Sequence, residues 1–202
     1  MQSSVGRQDA YRARTRAALI RSALDVMGKT GFAATIEELA ANAEVSPATI
    51  YNHFGSKEEY LKQALAQIWQ ENVDKFYEGR SQTESLAATI SVCRKLFRVS
   101  RKSSTFGKVL TKTMGDSAHV IDAVLPTAEG PFREVASKEK LPEADFELRL
   151  ALWSFCLAGI FREIFVTANI SADDADRALA ISMTIWNIDP LEGHKLVSEP
   201  LY

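Results

Sequence analysis

The 202-residue sequence predicts an all-α fold, with a small helix-turn-helix unit leading into a larger helical body. Three observations carry that expectation. Apolar residues recur at spacings of three and four along nearly the whole chain, and no segment alternates with the period of two that a half-buried strand requires. Helix signals are dense between residues 31 and 59, where two S/T-x-x-E capping boxes, a Ser-Pro start and two glycine stops fall close together. Residues 148–166 are apolar on several sides, the composition of a helix buried on more than one face.

Taken in order, a first helix over about residues 9–29 carries Ala17, Ile20, Leu24 and Met27 on one stripe, and Gly31 supplies its stop. Thr35-Ile36-Glu37-Glu38 opens a short helix through Ala43 with Leu39 inward. Ser46 as N-cap and Pro47 at the first helical position open the next, which Gly55 ends after Phe54. Ser56-Lys57-Glu58-Glu59 then starts a longer helix to about residue 78, with Tyr60, Leu61, Ala64, Leu65, Ile68, Trp69, Val73 and Phe76 on one face. Beyond it the pattern gives helices over about residues 84–101, 106–114, 118–125, 126–140, 143–169 and 172–187. The tail from Asp189-Pro190 is left unassigned.

Composition narrows the function. The formal charge is −2, so a nucleic-acid-binding surface must be local rather than global. Cys93 and Cys156 lie far apart on apolar helix faces, which argues against a disulfide framework or a CxxC metal site and fits a reducing cytoplasm. The first fifteen residues lack the apolar core of a secretion signal. The longest uncharged apolar run, bounded by Arg149 and Arg162, is shorter than the roughly 20 residues that span a bilayer, so no membrane segment is expected. His53, His119 and His194 are scattered, and no GxSxG, HExxH or glycine-rich phosphate loop is present; an enzyme, a metal or a cofactor is not expected.

A short helix, a tight turn at Ala43-Glu44-Val45 and a second short helix make a helix-turn-helix, whose second element enters the DNA major groove. On that helix Ile50 and Phe54 point inward. Ala48, Thr49 and Asn52 point away, and Tyr51 and His53 flank them, giving a small, polar, acid-free face suited to base edges and phosphates. Lys57, a cation at a helix N-terminus, opposes the macrodipole unless a phosphate binds there. Thr35 offers a similar hydroxyl-plus-amide grip, and Arg7, Arg12, Arg14 and Arg16 concentrate charge where acids are sparse, as along a DNA backbone. The bland alternatives are a solvated lysine and a solvated arginine face. The apolar segment 148–166, with Leu157, Phe161, Ile164 and Phe165, and the last helix, with Met183 and Trp186, fit a four-helix interface between two protomers. A central core helix in a monomer fits the same composition.

The run TIEELAANAEVSPATIYNHFGSKEEYL resembles the DNA-binding signature of TetR-type bacterial transcription regulators. It matches at Thr35, Leu39, Ala40, Ala43, Val45, Ser46, Thr49, Ile50, Tyr51, His53, Phe54, Lys57 and Leu61. Glu44 departs from it, standing where a glycine is usual and so carrying any left-handed backbone strain. The resemblance implies a DNA-binding domain over residues 1–56 and a helical ligand-binding and dimerisation domain over residues 57–202. The DNA contacts it implies fall on Arg12, Thr35, Ser46, Pro47, Ala48, Thr49, Tyr51, Asn52, His53 and Lys57. It also implies a homodimeric repressor on a palindromic operator, released by a small effector among the helices after the linker. Trp69, Phe76, Cys93, Phe97, Phe106, His119 and Trp153 are the candidate pocket residues, and their aromatic content points to an apolar or aromatic effector. The basic residues Arg94, Lys95, Arg98, Arg101 and Lys102 would draw an anionic effector or form a solvated face. The rival readings are a helix-turn-helix protein regulated by a protein partner, marked by a large apolar patch away from the dimer helices, and, further off, an enzyme.

Overall fold

The computed structural model describes residues 2–201, with side chains from residue 8 onward, so Arg7 falls outside the described side chains. Among the described residues the chain is all-helical: α1 (Gln2–Thr30), α2 (Ile36–Asn42), α3 (Pro47–Phe54), α4 (Lys57–Tyr77), α5 (Leu86–Phe97), α6 (Thr105–Thr113), α7 (Ser117–Lys138), α8 (Phe146–Arg162), α9 (Ala172–Ser182) and α10 (Pro190–Ser198). Short 3₁₀ turns follow α1 and α9, and a π-helical turn, Glu163–Thr167, prolongs α8.

The N-terminal elements follow their local chemistry. Thr35 and Glu38 form a reciprocal capping box on α2. Ser46 accepts from the Thr49 amide at the start of α3. Ser56 accepts from the Glu59 amide at the start of α4, but the Glu59 carboxylate takes a bond from Gln63 instead of returning one, so only half of that box forms. Gly31 sits at φ +63, and a Cβ there would lie 2.4 Å from the Lys112 carbonyl oxygen, which makes glycine the condition for α1 to meet α6. Glu44 takes the left-handed conformation at φ 54, so the non-glycine residue does carry the turn's strain.

The structure differs from the sequence pattern at two places and fills in a third that the pattern left open. The separate helices 118–125 and 126–140 are one helix, α7, running through Pro126 and Pro131. Buried Val120, Ala123 and Val124 on one side of the prolines and Phe132, Val135 and Ala136 on the other hold it together, a case of tertiary packing overriding propensity. The unassigned tail is helical: Asp189 caps α10, with Pro190 at its start. Of the basic residues along and just after α5, Arg94, Lys95 and Arg98 are tied up in ion pairs, while Arg101 and Lys102 stay exposed as a solvated face would. Arg94 and Arg98 both bind Asp176 of α9, Lys95 pairs with Glu78, and Arg101 donates to the Ile164 carbonyl.

One continuous apolar core joins all ten helices. It includes an aromatic cluster of Phe132, Phe146, Trp153 and Trp186, with the Phe132 and Trp186 rings 4.9 Å apart. The burial of Trp186, Met183, Phe161 and Phe165 within one chain corrects their assignment to a dimer interface, because a side chain enclosed by its own protomer has no surface to offer a second. Leu157 and Ile164 are half-buried. The apolar side chains left exposed on α8 and its π-helical extension are Leu148, Leu152, Phe155 and Val166, and Ile181 is exposed on α9.

Candidate nucleic-acid interface and internal cavity

One polar tie holds α3 directly to α1, and two more fasten the flanking helices α2 and α4 to α1. The Arg16 guanidinium of α1 donates to the His53 carbonyl at 3.1 Å, lies 4.5 Å over the Phe54 ring and also bonds Gln63 of α4. A cation at the last carbonyls of α3 complements the helix dipole. Arg16 therefore orients α3 from behind and is corrected from a backbone contact to an internal clamp. Asn42 of α2 donates to the carbonyl and hydroxyl of Ser22. The Tyr60 hydroxyl of α4 donates to the Leu19 carbonyl at 2.5 Å, and burial pushes its phenol up to about 12, so it stays a neutral donor.

With Ile50 and Phe54 buried behind it, α3 presents Ala48, Tyr51 and Asn52 to solvent, Tyr51 being 44% exposed. Thr49 and His53 are half-buried at the edges, and Ser46 and Pro47 are exposed at the helix start. The first turn carries no acid. The Lys57 ammonium lies 3.7 Å from the Glu58 carboxylate, a loose surface pair that a phosphate can displace. The Thr35 amide differs from expectation, because it already donates to the Glu38 carboxylate; its hydroxyl accepts the Glu38 amide and keeps only its own proton to give. Arg12 is exposed on α1.

The larger body holds a partly open cavity of about 150 Å³ between α4, α5, α7 and α8. Of the candidate pocket residues Trp69, Cys93 and Trp153 line it, and burial pushes the Cys93 thiol up to about 12, so the sulfur remains a neutral thiol. Phe97 and Phe106 stand behind the wall, packed edge-on against Phe161 and Trp69, and Phe76 is likewise outside the lining. Sequence spacing does not separate these layers, since core and pocket aromatics share the same helical period. The polar lining was missed: Tyr77, Gln82, Thr89 and Ser154 border the cavity, and no Asp, Glu, Lys, Arg or His does so among the described residues.

His119 is outside the cavity. It is largely exposed at the start of α7, its ring 5.4 Å from Phe32 and its Nδ1 2.8 Å from Asp116. That hydrogen bond raises the His119 pKa above 6.5 and lowers that of Asp116 below 3.8. The histidine's contribution to stability is full below pH 6.5 and is lost as pH rises through its folded value. The aspartate's contribution is present above pH 3.8 and is lost as pH falls through its folded value. In an NMR titration His119 should titrate above 6.5 in the native protein and return toward that value in Asp116→Asn.

The model of the tetR family of bacterial regulatory proteins matches residues 19–64, which hold most of α1, all of α2 and α3, and the start of α4. No curated protein matches the chain in sequence. Among solved structures, RolR in complex with the ligand resorcinol superposes with a TM-score of 0.66 at 18% identity, covering 96% of this chain and 98% of that one. RolR without ligand superposes at 0.62 and 20% identity, covering 92% and 97%. A TetR-family regulator from Streptomyces coelicolor A3 superposes at 0.56 and 15% identity, covering 93% and 96%. Identities this low speak to the fold alone. Residues 19–64 thus carry the signature of the tetR family of bacterial regulatory proteins, and the chain as a whole shares the fold of these structures.

Proposed function

We propose that the protein is a cytoplasmic, ligand-responsive transcriptional repressor that binds a palindromic operator as a homodimer and releases it when a small apolar or aromatic effector fills the internal cavity. Residues 1–56 act as the DNA-binding domain and residues 57–202 as the sensing and dimerising one. The observation that carries this reading is the double attachment of the DNA-binding unit to the cavity wall. Trp69, Val73 and Tyr77 of α4 line the cavity, while Lys57, at the start of the same helix, borders the DNA face roughly 18 Å away from Trp69 along the axis. Met114, just after α6, lines it too, and α6 meets α1 at Gly31. A ligand that shifts either helix moves α1–α3, and a small tilt takes one reading helix out of step with half-sites about 34 Å apart.

A cavity near 150 Å³ is the size that takes a single ring, and resorcinol, bound in the RolR structure, is a one-ring molecule. The dimer reading rests on the exposed stripe of α8. Its 22-residue helical run, Phe146–Thr167, is long and apolar enough by composition to cross a membrane, and only 39% of its most apolar window is buried. Glu147, Arg149, Arg162 and Glu163 within it would be costly in hydrocarbon, so a second copy is the better cover. The other large exposed apolar residues, Tyr11, Tyr51 and Leu191, lie on separate helices, which favours a sensor of small molecules over a protein-regulated adaptor.

The DNA contacts are testable on an operator selected from random palindromic duplexes. Lys57→Ala and Tyr51→Ala should each weaken binding by about 1–3 kcal/mol per half-site while leaving the unfolding transition in place. Lys57→Ala should also reduce the salt slope by about 1 per half-site, read by fluorescence anisotropy. Unchanged affinity in both variants would remove their assigned roles.

A further inference from the structure

We propose that Tyr77 and Thr89 form a hydrogen-bonding subsite at one corner of the cavity, and that it selects a neutral, hydroxyl-bearing single-ring ligand. The inference rests on the cavity being the effector site and adds which effector chemistry it accepts.

Most polar groups along the wall are already engaged. The Trp153 indole N–H donates to the Ser182 hydroxyl at 3.0 Å, the Ser154 hydroxyl donates to the Leu150 carbonyl at 2.8 Å, and the Gln82 amide donates to Asp74 at 2.5 Å. Tyr77 is different. Its side chain is 5% exposed, yet its hydroxyl reaches only the Thr89 hydroxyl at 3.3 Å and the Gln82 carbonyl at 3.4 Å. Both distances exceed the usual 2.5–3.0 Å of an O–H···O bond, and a buried hydroxyl without a good partner is costly. Among the described residues no donor is bonded to the Tyr77 phenolic oxygen, and the Thr89 hydroxyl directs its own proton to the Ser85 carbonyl at 3.2 Å, also a long contact. The corner therefore offers a phenol donor and two oxygens with free lone pairs, which is what a ligand hydroxyl needs. Burial raises the Tyr77 pKa, keeping that donor protonated.

Charge is the second filter. With no cationic side chain in the lining, an ionised carboxylate would be buried without a partner, whereas a neutral phenol brings its own donor and acceptor.

The test uses phenol, toluene and benzoate as probes at pH 7, by isothermal titration calorimetry, against the native protein and Tyr77→Phe. Phenol affinity should fall about tenfold in Tyr77→Phe, while toluene affinity should change less than about twofold, which also shows that the cavity still folds. Benzoate should not bind either protein. A phenol affinity insensitive to Tyr77→Phe, or benzoate binding as well as phenol, would overturn the subsite. If neither phenol nor toluene binds, the cavity is not a ligand site and both readings fall. If the pattern holds but operator affinity ignores occupancy, the subsite stands and the regulatory reading fails.

Discussion

Phe155→Glu is expected to leave a folded monomer that binds operator DNA no better than unrelated duplex. Phe155 is 58% exposed and lies in register with Leu148, Leu152 and Gly159, at spacings of seven, three and four residues, on one side of α8. In an isologous interface the substitution acts twice, placing two like charges in an apolar contact. Burying them without partners should weaken association by at least about 4 kcal/mol, roughly a thousandfold. The monomer itself loses nothing, because the glutamate replaces an exposed side chain. Loss of the second half-site then removes most of the specific affinity. Sedimentation velocity reads the mass and anisotropy reads the DNA. A Phe155→Glu protein that remains dimeric places the interface elsewhere.

Asp176→Ala should destabilise the fold by about 3–5 kcal/mol, the cost of stripping the partner from a buried charge. Asp176 and Arg94 are both nearly enclosed and meet at 2.9 Å, and Arg98 donates to the same carboxylate. Arg94 also donates to the Glu199 carbonyl at 2.6 Å, so the network fastens the chain just beyond α10 onto α5 and α9. Replacing Asp176 strands the buried Arg94 guanidinium, while the more exposed Arg98 keeps Asp173. Urea denaturation should show the loss in full, with operator contacts unaltered in the protein that remains folded. The double variant Asp176→Ala/Arg94→Met should recover part of the stability, since it removes the stranded charge as well. A change below about 1 kcal/mol would mean that the arginines find other partners.

The N-terminal third was legible because its instructions are local. Caps at Thr35, Ser46 and Ser56 and the stop at Gly55 act within a few residues, and a short amphipathic helix displays its outer face directly. Arg16 was misread because its partners, at His53 and Gln63, are distant in sequence. The body was harder for the same reason. Nothing local distinguishes Trp153, which lines the cavity, from Phe97, which stands behind it, or exposed Phe155 from enclosed Phe161. Pro126 gave a true local signal that packing on both flanks overrode. Asp173 and Asp176 of α9 are distant in sequence from Arg94 and Arg98, and only the fold brings them within 3.3 Å.

Linkage between cavity and DNA is most directly measured as operator affinity with the cavity empty and with it filled, by anisotropy at phenol concentrations that calorimetry shows to be saturating. Coupling of about 1–3 kcal/mol is expected, so filling the cavity should weaken operator binding roughly 5–150-fold, and operator should weaken phenol binding by the same factor. Equal operator affinity with the cavity demonstrably occupied would contradict it.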